Sequence, residues 1–298
     1  MKKWIYCICF VLVFCLTCCN ASGSEVESEV ETETTEAEIK KIESDTTYFV
    51  SYHERKGVHF YDIRRRNIGE KQPVFFFIHG LTNCKEGMVD YAKFLADEGY
   101  FVIVPDLPGH GESVTSIPMN IYEIIHQAAM DCDEILTFYN HSEYADTSRF
   151  GIVGFSMGGM TALYYGAYSE NRPRCVISIC GTPSWDSLLD KNIYDICQDG
   201  KLLPIEEDEK KKEVITMMVQ HSPDNNLEYL LQIPILLING ENDDIMSISE
   251  IRNFVLKSDL LPNRLENITI EGRGHDIMLD DMQNTREFLQ KYFPRQVE

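Results

Sequence analysis

Five segments of this chain are almost unbroken apolar runs. They are PVFFFIHG (Pro73 to Gly80), YFVIVPD (Tyr100 to Asp106), RFGIVGF (Arg149 to Phe155), RCVISICG (Arg174 to Gly181) and IPILLING (Ile233 to Gly240). A strand with one wet face alternates apolar and polar residues, so runs like these fit strands covered on both faces. Helix-like spacing separates them. Met88, Tyr91, Phe94 and Leu95 recur at helical intervals before Gly99, and Tyr122 to Tyr139, Met157 to Tyr168 and Ile248 to Leu256 read as further helices. LENITIEG (Leu265 to Gly272) and a helix from Thr285 to Tyr292 close the pattern. The alternation predicts an α/β fold, a mostly parallel sheet covered by helices on both faces. YFVSYHE and VHFYDIR (Tyr48 to Glu54, Val58 to Arg64) predict an opening antiparallel pair around Lys56-Gly57. Residues 184–232 break the rhythm and read as a small cap insertion of two or three short helices. It would sit over the C-terminal strand ends, where such sheets bind ligands.

The first 45 residues read differently. Lys2 and Lys3 precede an apolar stretch from Trp4 to Leu16, shorter than the about 20 residues of a membrane span and suited to a signal peptide. LTCCN (Leu16 to Asn20) resembles a bacterial lipobox, with Cys19 as the lipidated residue, although Cys18 stands where Gly, Ala or Ser is usual. Residues 1–19 are therefore expected to be a lipoprotein-type signal, the alternatives being an ordinary cleaved leader of a secreted protein or a short uncleaved anchor. Residues 20–45 are acidic and poor in aromatics. Between Ser24 and Asp45, nine acids face only Lys40 and Lys41. That composition suits a solvated tether. The folded domain is then 46–298, outside the cytoplasm and held to the membrane by the lipid.

The formal net charge is −21. It argues against nucleic acid or an anionic surface as partner, since both need clustered Lys and Arg. Of ten cysteines, five lie in the signal. Cys84, Cys132, Cys175, Cys180 and Cys197 have neither disulfide-framework nor zinc-site spacing, and read mostly as small buried apolar residues. No metal or organic cofactor is implied.

Chemistry concentrates in a few places. GFSMGG (Gly154 to Gly159) fits G-x-S-x-G between a predicted strand and a predicted helix, the setting of a nucleophile elbow at Ser156. A serine nucleophile needs a base. His275 in EGRGHDIM lies in a Gly-flanked loop past the last predicted strand and can return over the sheet edge. His126 and His141 fall on or beside a helix, His53 and His59 in the antiparallel pair, and His221 in the cap. The base needs an acid. Asp243 and Asp244 both follow the strand IPILLING. Asp186 and Asp106 also follow strands.

With these residues the chain resembles the α/β-hydrolase superfamily from about Tyr48 to Phe293, and within it small bacterial esterases and prolyl-oligopeptidase-like hydrolases. HGLTNCKE (His79 to Glu86) is similar to their H-G-x-x-x-x-K-E segment, and DLPGHGES (Asp106 to Ser113) to their D-x-P-G-H-G-x-S loop. The family pattern G-x-x-D places the acid at Asp243. The resemblance implies a Ser156–His275–Asp243 triad and an oxyanion hole from the N–H groups of Leu81 and Met157. His79 and His110 then shape loops, and Asn83/Glu86 and Ser247/Glu250 have capping-box spacing.

The expectation is a lipid-anchored serine hydrolase acting on carboxylic esters, with medium-chain acyl or lipid esters suggested by apolar cap residues. Those are Trp185, Leu188, Leu189, Ile193, Tyr194, Met217 and Met218, whose other reading is packing of the cap onto the core. A serine peptidase is the alternative, though the chain carries no counterpart of the large domain that filters peptides in prolyl oligopeptidases. A binding protein on a hydrolase fold is a third.

Overall fold

A computed structural model describes residues 45–114, 117–189, 196–198 and 201–295. The expected signal, Cys19 and the expected tether as far as residue 44 fall outside the described residues. Among those described, no helix is long and apolar enough to cross a membrane.

The chain opens with β1 (Tyr48–Arg55) and β2 (Val58–Arg65), antiparallel as expected. β3 (Gln72–Ile78), α1 (Val89–Asp97), β4 (Phe101–Pro105), β5 (Met119–Asn120), α2 (Ile121–Phe138), β6 (Ala145–Phe155), α3 (Met157–Tyr168) and β7 (Val176–Ile179) follow. The cap region holds α4 (Asp186–Leu189), β8 (Ile196–Gln198), β9 (Lys201–Leu203), α5 (Asp208–Gln220) and α6 (Leu227–Leu230). β10 (Ile235–Gly240), α7 (Ile248–Ser258), β11 (Leu265–Ile270) and α8 (Leu279–Tyr292) finish the domain.

Eight strands form one sheet in the order β1-β2-β4-β3-β6-β7-β10-β11. From β4 to β11 every pairing is parallel. The apolar runs are explained by the two-residue period of a strand. Val74, Phe76 and Ile78 of β3 enter one core with Ile125 of α2, Leu163 of α3 and Phe254 of α7. Phe75 and Phe77 enter the opposite core with Leu95 of α1 and Phe288 of α8. All five side chains are fully buried. At about 1.5–3 kcal/mol for each large apolar side chain, such strands gain stability from both faces.

After β3 the chain crosses to β4 on one side, then to β6 on the other. This is the switch point at which open α/β sheets form a crevice. Ile78 is level with Gly154, so Gly80 and Ser156 leave the sheet side by side.

The cap differs from the expectation of helices alone. β5, β8 and β9 make a separate three-stranded antiparallel sheet. Trp185, Leu188 and Met218 are fully buried in the α2/α3 core, and Met217 packs against it. They hold the cap down, as their second reading had it. Ile193 and Tyr194 lie outside the described residues.

Candidate active site

Ser156 joins β6 to α3 with φ 55° and ψ −119°. L-residues rarely occupy that region, and such strain marks functional sites. Glycine makes the turn possible. A Cβ on Gly154 would stand 2.2 Å from the carbonyl of Gly158, and one on Gly158 2.2 Å from the carbonyl oxygen of Ile78. The Ser156 N–H donates to Ile179 O at 2.8 Å, which fixes the turn to the neighbouring strand.

The structure brings Ser156, His275 and Asp243 into one row. His275 Nε2 lies 2.8 Å from Ser156 Oγ, and Nδ1 lies 2.8 Å from Asp243 Oδ2. An ionised carboxylate only accepts, so Nδ1 carries the proton and Nε2 accepts from the serine hydroxyl. The other oxygen of Asp243 accepts from the N–H groups of Ile245 and Met246 at 2.9 and 2.7 Å. The carboxylate is thereby held with both oxygens engaged.

Backbone contacts hold the two loops. The Asn242 N–H donates to Arg273 O at 2.7 Å, and the Glu241 N–H to Ile270 O at 2.9 Å. Gly240 permits this approach, since a Cβ there would meet Gly274 O at 2.2 Å. Arg273 pairs with the buried Asp281 at 2.5 Å, and Tyr91 donates to Ile277 O at 3.1 Å. Asp244, one residue on, is exposed, and so is Asp186 at the start of α4. The carboxylate on His275 is that of Asp243.

Leu81 follows Gly80, whose added Cβ would stand 3.1 Å from Ser156 Cβ. Met157 is the first residue of α3, so its N–H has no partner one turn back. Among the described residues neither N–H donates to a protein acceptor. Both flank the serine where charge on an oxyanion could be met.

His79 is wholly buried and accepts at Nε2 from the Leu107 N–H at 2.9 Å. Nδ1 therefore carries its proton and donates to Gly80 O at 2.7 Å. Burial lowers its pKa to about 3, so it is a neutral brace between the loops after β3 and β4. His110 is likewise buried, with Nδ1 3.0 Å from Pro108 O.

Lys85 has a role that sequence reasoning missed. Its side chain is fully enclosed, with Nζ 2.8 Å from Asp106, 2.6 Å from Glu112 and 3.0 Å from Glu86. Burial opposes its charge, but these carboxylates prevail and raise its pKa. Asp106 also accepts the Lys85 N–H at 2.7 Å and the Glu112 N–H at 2.9 Å. This cluster ties the loop carrying Leu81 to the loop after β4. Glu86 is consequently not the cap its spacing predicts. It accepts from Tyr61, and Asn83 receives the Cys84 N–H alone. Ser247 makes no cap bond either, its hydroxyl pairing with Ser249.

A groove of about 650 Å³ lies elsewhere, between α2 and α3, lined by His126, Met130, Asp133, Tyr164 and Tyr168 among others. No member of the Ser156 row lines it.

An eight-stranded, mostly parallel sheet with a serine elbow at its switch point is the α/β-hydrolase fold. The family described as "alpha/beta hydrolase fold" matches residues 73–199. The chain has the α/β-hydrolase fold, and its matches support a hydrolase. It is similar to the Bacillus subtilis protein named "Putative esterase YitV", with 28% identity over 243 residues, covering 77% of this chain and 93% of that one. Esterase YjfP of Escherichia coli is 26% identical over 194 residues, covering 61% of this chain and 74% of its own. A butyrate-bound esterase structure from Thermogutta terrifontis superposes with a TM-score of 0.64 at 14% identity, covering 85% and 97% of the two chains.

Proposed function

We propose that this hydrolase is a serine carboxylesterase working through an acyl-enzyme. The observation that carries the reading is the continuous hydrogen-bonded row from Ser156 through His275 to Asp243. The esterase names of YitV and YjfP support the ester as substrate.

In this mechanism Ser156 Oγ attacks the ester carbonyl while His275 Nε2 takes its proton. Asp243 keeps the imidazole in the right tautomer and stabilises the imidazolium. The Leu81 and Met157 N–H groups receive the developing oxyanion, each donor being worth about 3–4 kcal/mol in such a hole. His275 passes its proton to the leaving alkoxide, which departs as alcohol. Water then gives a proton to His275 and attacks the acyl carbon. Collapse returns the proton to Ser156 and frees the acid.

A medium-chain acyl or lipid ester is the substrate carried over from the cap sequence, and the graded ester panel below decides it. The signal segment and Cys19 would place the enzyme outside the cytoplasm on a lipid anchor.

A fluorophosphonate probe and a panel of p-nitrophenyl esters of graded chain length, beside aminoacyl anilides, test this. Labelling at Ser156 and ester turnover, both lost in Ser156→Ala, are expected. Folded protein that neither labels nor cleaves an ester overturns the reading, and preferential anilide cleavage replaces esterase by peptidase. Mass spectrometry of the mature N-terminus tests lipidation of Cys19.

A further inference from the structure

Cys180 follows β7 and lies beside the loop that carries His275. Its thiol is free, fully buried and 3.3 Å from Asp276 O, one residue past the histidine. Its backbone has φ 50°, and its N–H is tied to Ile238 O at 2.7 Å. A non-glycine residue held there costs about 1–3 kcal/mol. One ligand atom each from Cys180, Asp243 and His275 lies within 4.8 Å of the other two. The ester chemistry uses the acid and the base and gives the thiol no task.

We propose that Cys180 Sγ, a carboxylate oxygen of Asp243 and His275 Nδ1 form an inhibitory site for a zinc-class divalent cation. The consequence for activity rests on His275 being the base in the function proposed above. Thiolate, imidazole and carboxylate are the donor set such a cation prefers, whereas magnesium and calcium seek oxygen alone. Three protein ligands leave a fourth position for water. On binding, the thiol releases its proton to solvent as the sulfur–metal bond forms. The metal takes the lone pair of Nδ1, and the ring proton moves to Nε2. Facing Ser156 with a proton already in place, Nε2 no longer accepts the serine's. His275 is the open member, its side chain 12% exposed against none for Asp243, so the cation enters past it.

The test uses the full chain after chelator treatment. Cadmium is titrated while the thiolate-to-cadmium ultraviolet absorbance is read, and zinc is titrated against p-nitrophenyl butyrate turnover. Each variant is normalised to its own metal-free rate. Cys180→Ser should lose one thiolate's absorbance relative to wild type. Its half-inhibitory zinc concentration should rise roughly tenfold or more, since even an outer partner of a metal site is worth 10–100-fold in affinity. EDTA should restore wild-type turnover. Cys180→Gly, which suits the backbone here, serves as second variant. Equal absorbance and equal zinc sensitivity in wild type and both variants overturn the site. If wild type cleaves no ester, the esterase reading falls, while the cadmium absorbance still decides the metal site.

Discussion

The N–H of Asn242 reaches the carbonyl of Arg273 at 2.7 Å, one residue before Asp243 and two before His275. Asp243 and His275 are thus set by a backbone bond as well as by their own contact. Changing Asp243 alone therefore leaves both loops in place. Asp243→Asn should lower kcat on p-nitrophenyl butyrate by about 10⁴-fold, the loss seen when a triad base is held in the wrong tautomer. Asp244→Asn should stay within about twofold. The reverse outcome moves the role one residue along.

Ser156 carries backbone strain that glycine would not. Ser156→Gly should end ester turnover yet stabilise the fold by about 1 kcal/mol, the low end for such strain. Differential scanning would show that as a Tm higher by about 2–4 °C. An unchanged or lower Tm means the turn costs nothing.

Among the described residues, Lys85 is the one cation held against three carboxylates. Lys85→Met removes a buried partner and leaves Asp106 charged and enclosed. Urea unfolding should report a loss of about 3–5 kcal/mol. Replacing Asp106 by leucine as well should recover part of it, because the stranded charge is then gone.

His79 predicts an acid-side slope. Its folded pKa, about 3, lies below its ordinary 6.5 because burial disfavours the charged ring. Between those values the unfolded chain binds the extra proton, so stability is full above the unfolded pKa and falls as pH drops through that window. At pH 5 this group alone should cost about 2 kcal/mol relative to neutral pH. The stability–pH curve of His79→Gln should be flatter by that amount, and parallel curves would refute it.

The parts of the site that were legible in the sequence are locally determined. Ser156 announces itself because its turn needs Gly154 and Gly158 within two residues. His275 and Asp243 follow strand ends whose apolar runs are unmistakable. Lys85 was opaque because its partners Asp106 and Glu112 lie 21 and 27 residues away. A similar pull accounts for one capping box that does not form, Glu86 being drawn to Tyr61 25 residues away, whereas the Ser247 hydroxyl is taken locally by Ser249. α8 begins at Leu279, six residues before expected, since its polar first turn hides the helix and Asp281 accepts the Met278 N–H at 2.8 Å. The hairpin of β8 and β9 had a signal that went unread, the Asp199-Gly200 pair between them.

β11 pairs with β10 alone and is half-buried along most of its length, while β6 lies fully inside the sheet. His275 therefore rides on the margin of the fold and Ser156 on its spine. Margins fray first, at a fraction of the free energy needed for global opening. If His275 is the base proposed above, activity should fall silent under mild denaturant while the chain is still compact, Ser156 in place and His275 displaced. Recovery on dilution would then need only the return of one outer strand.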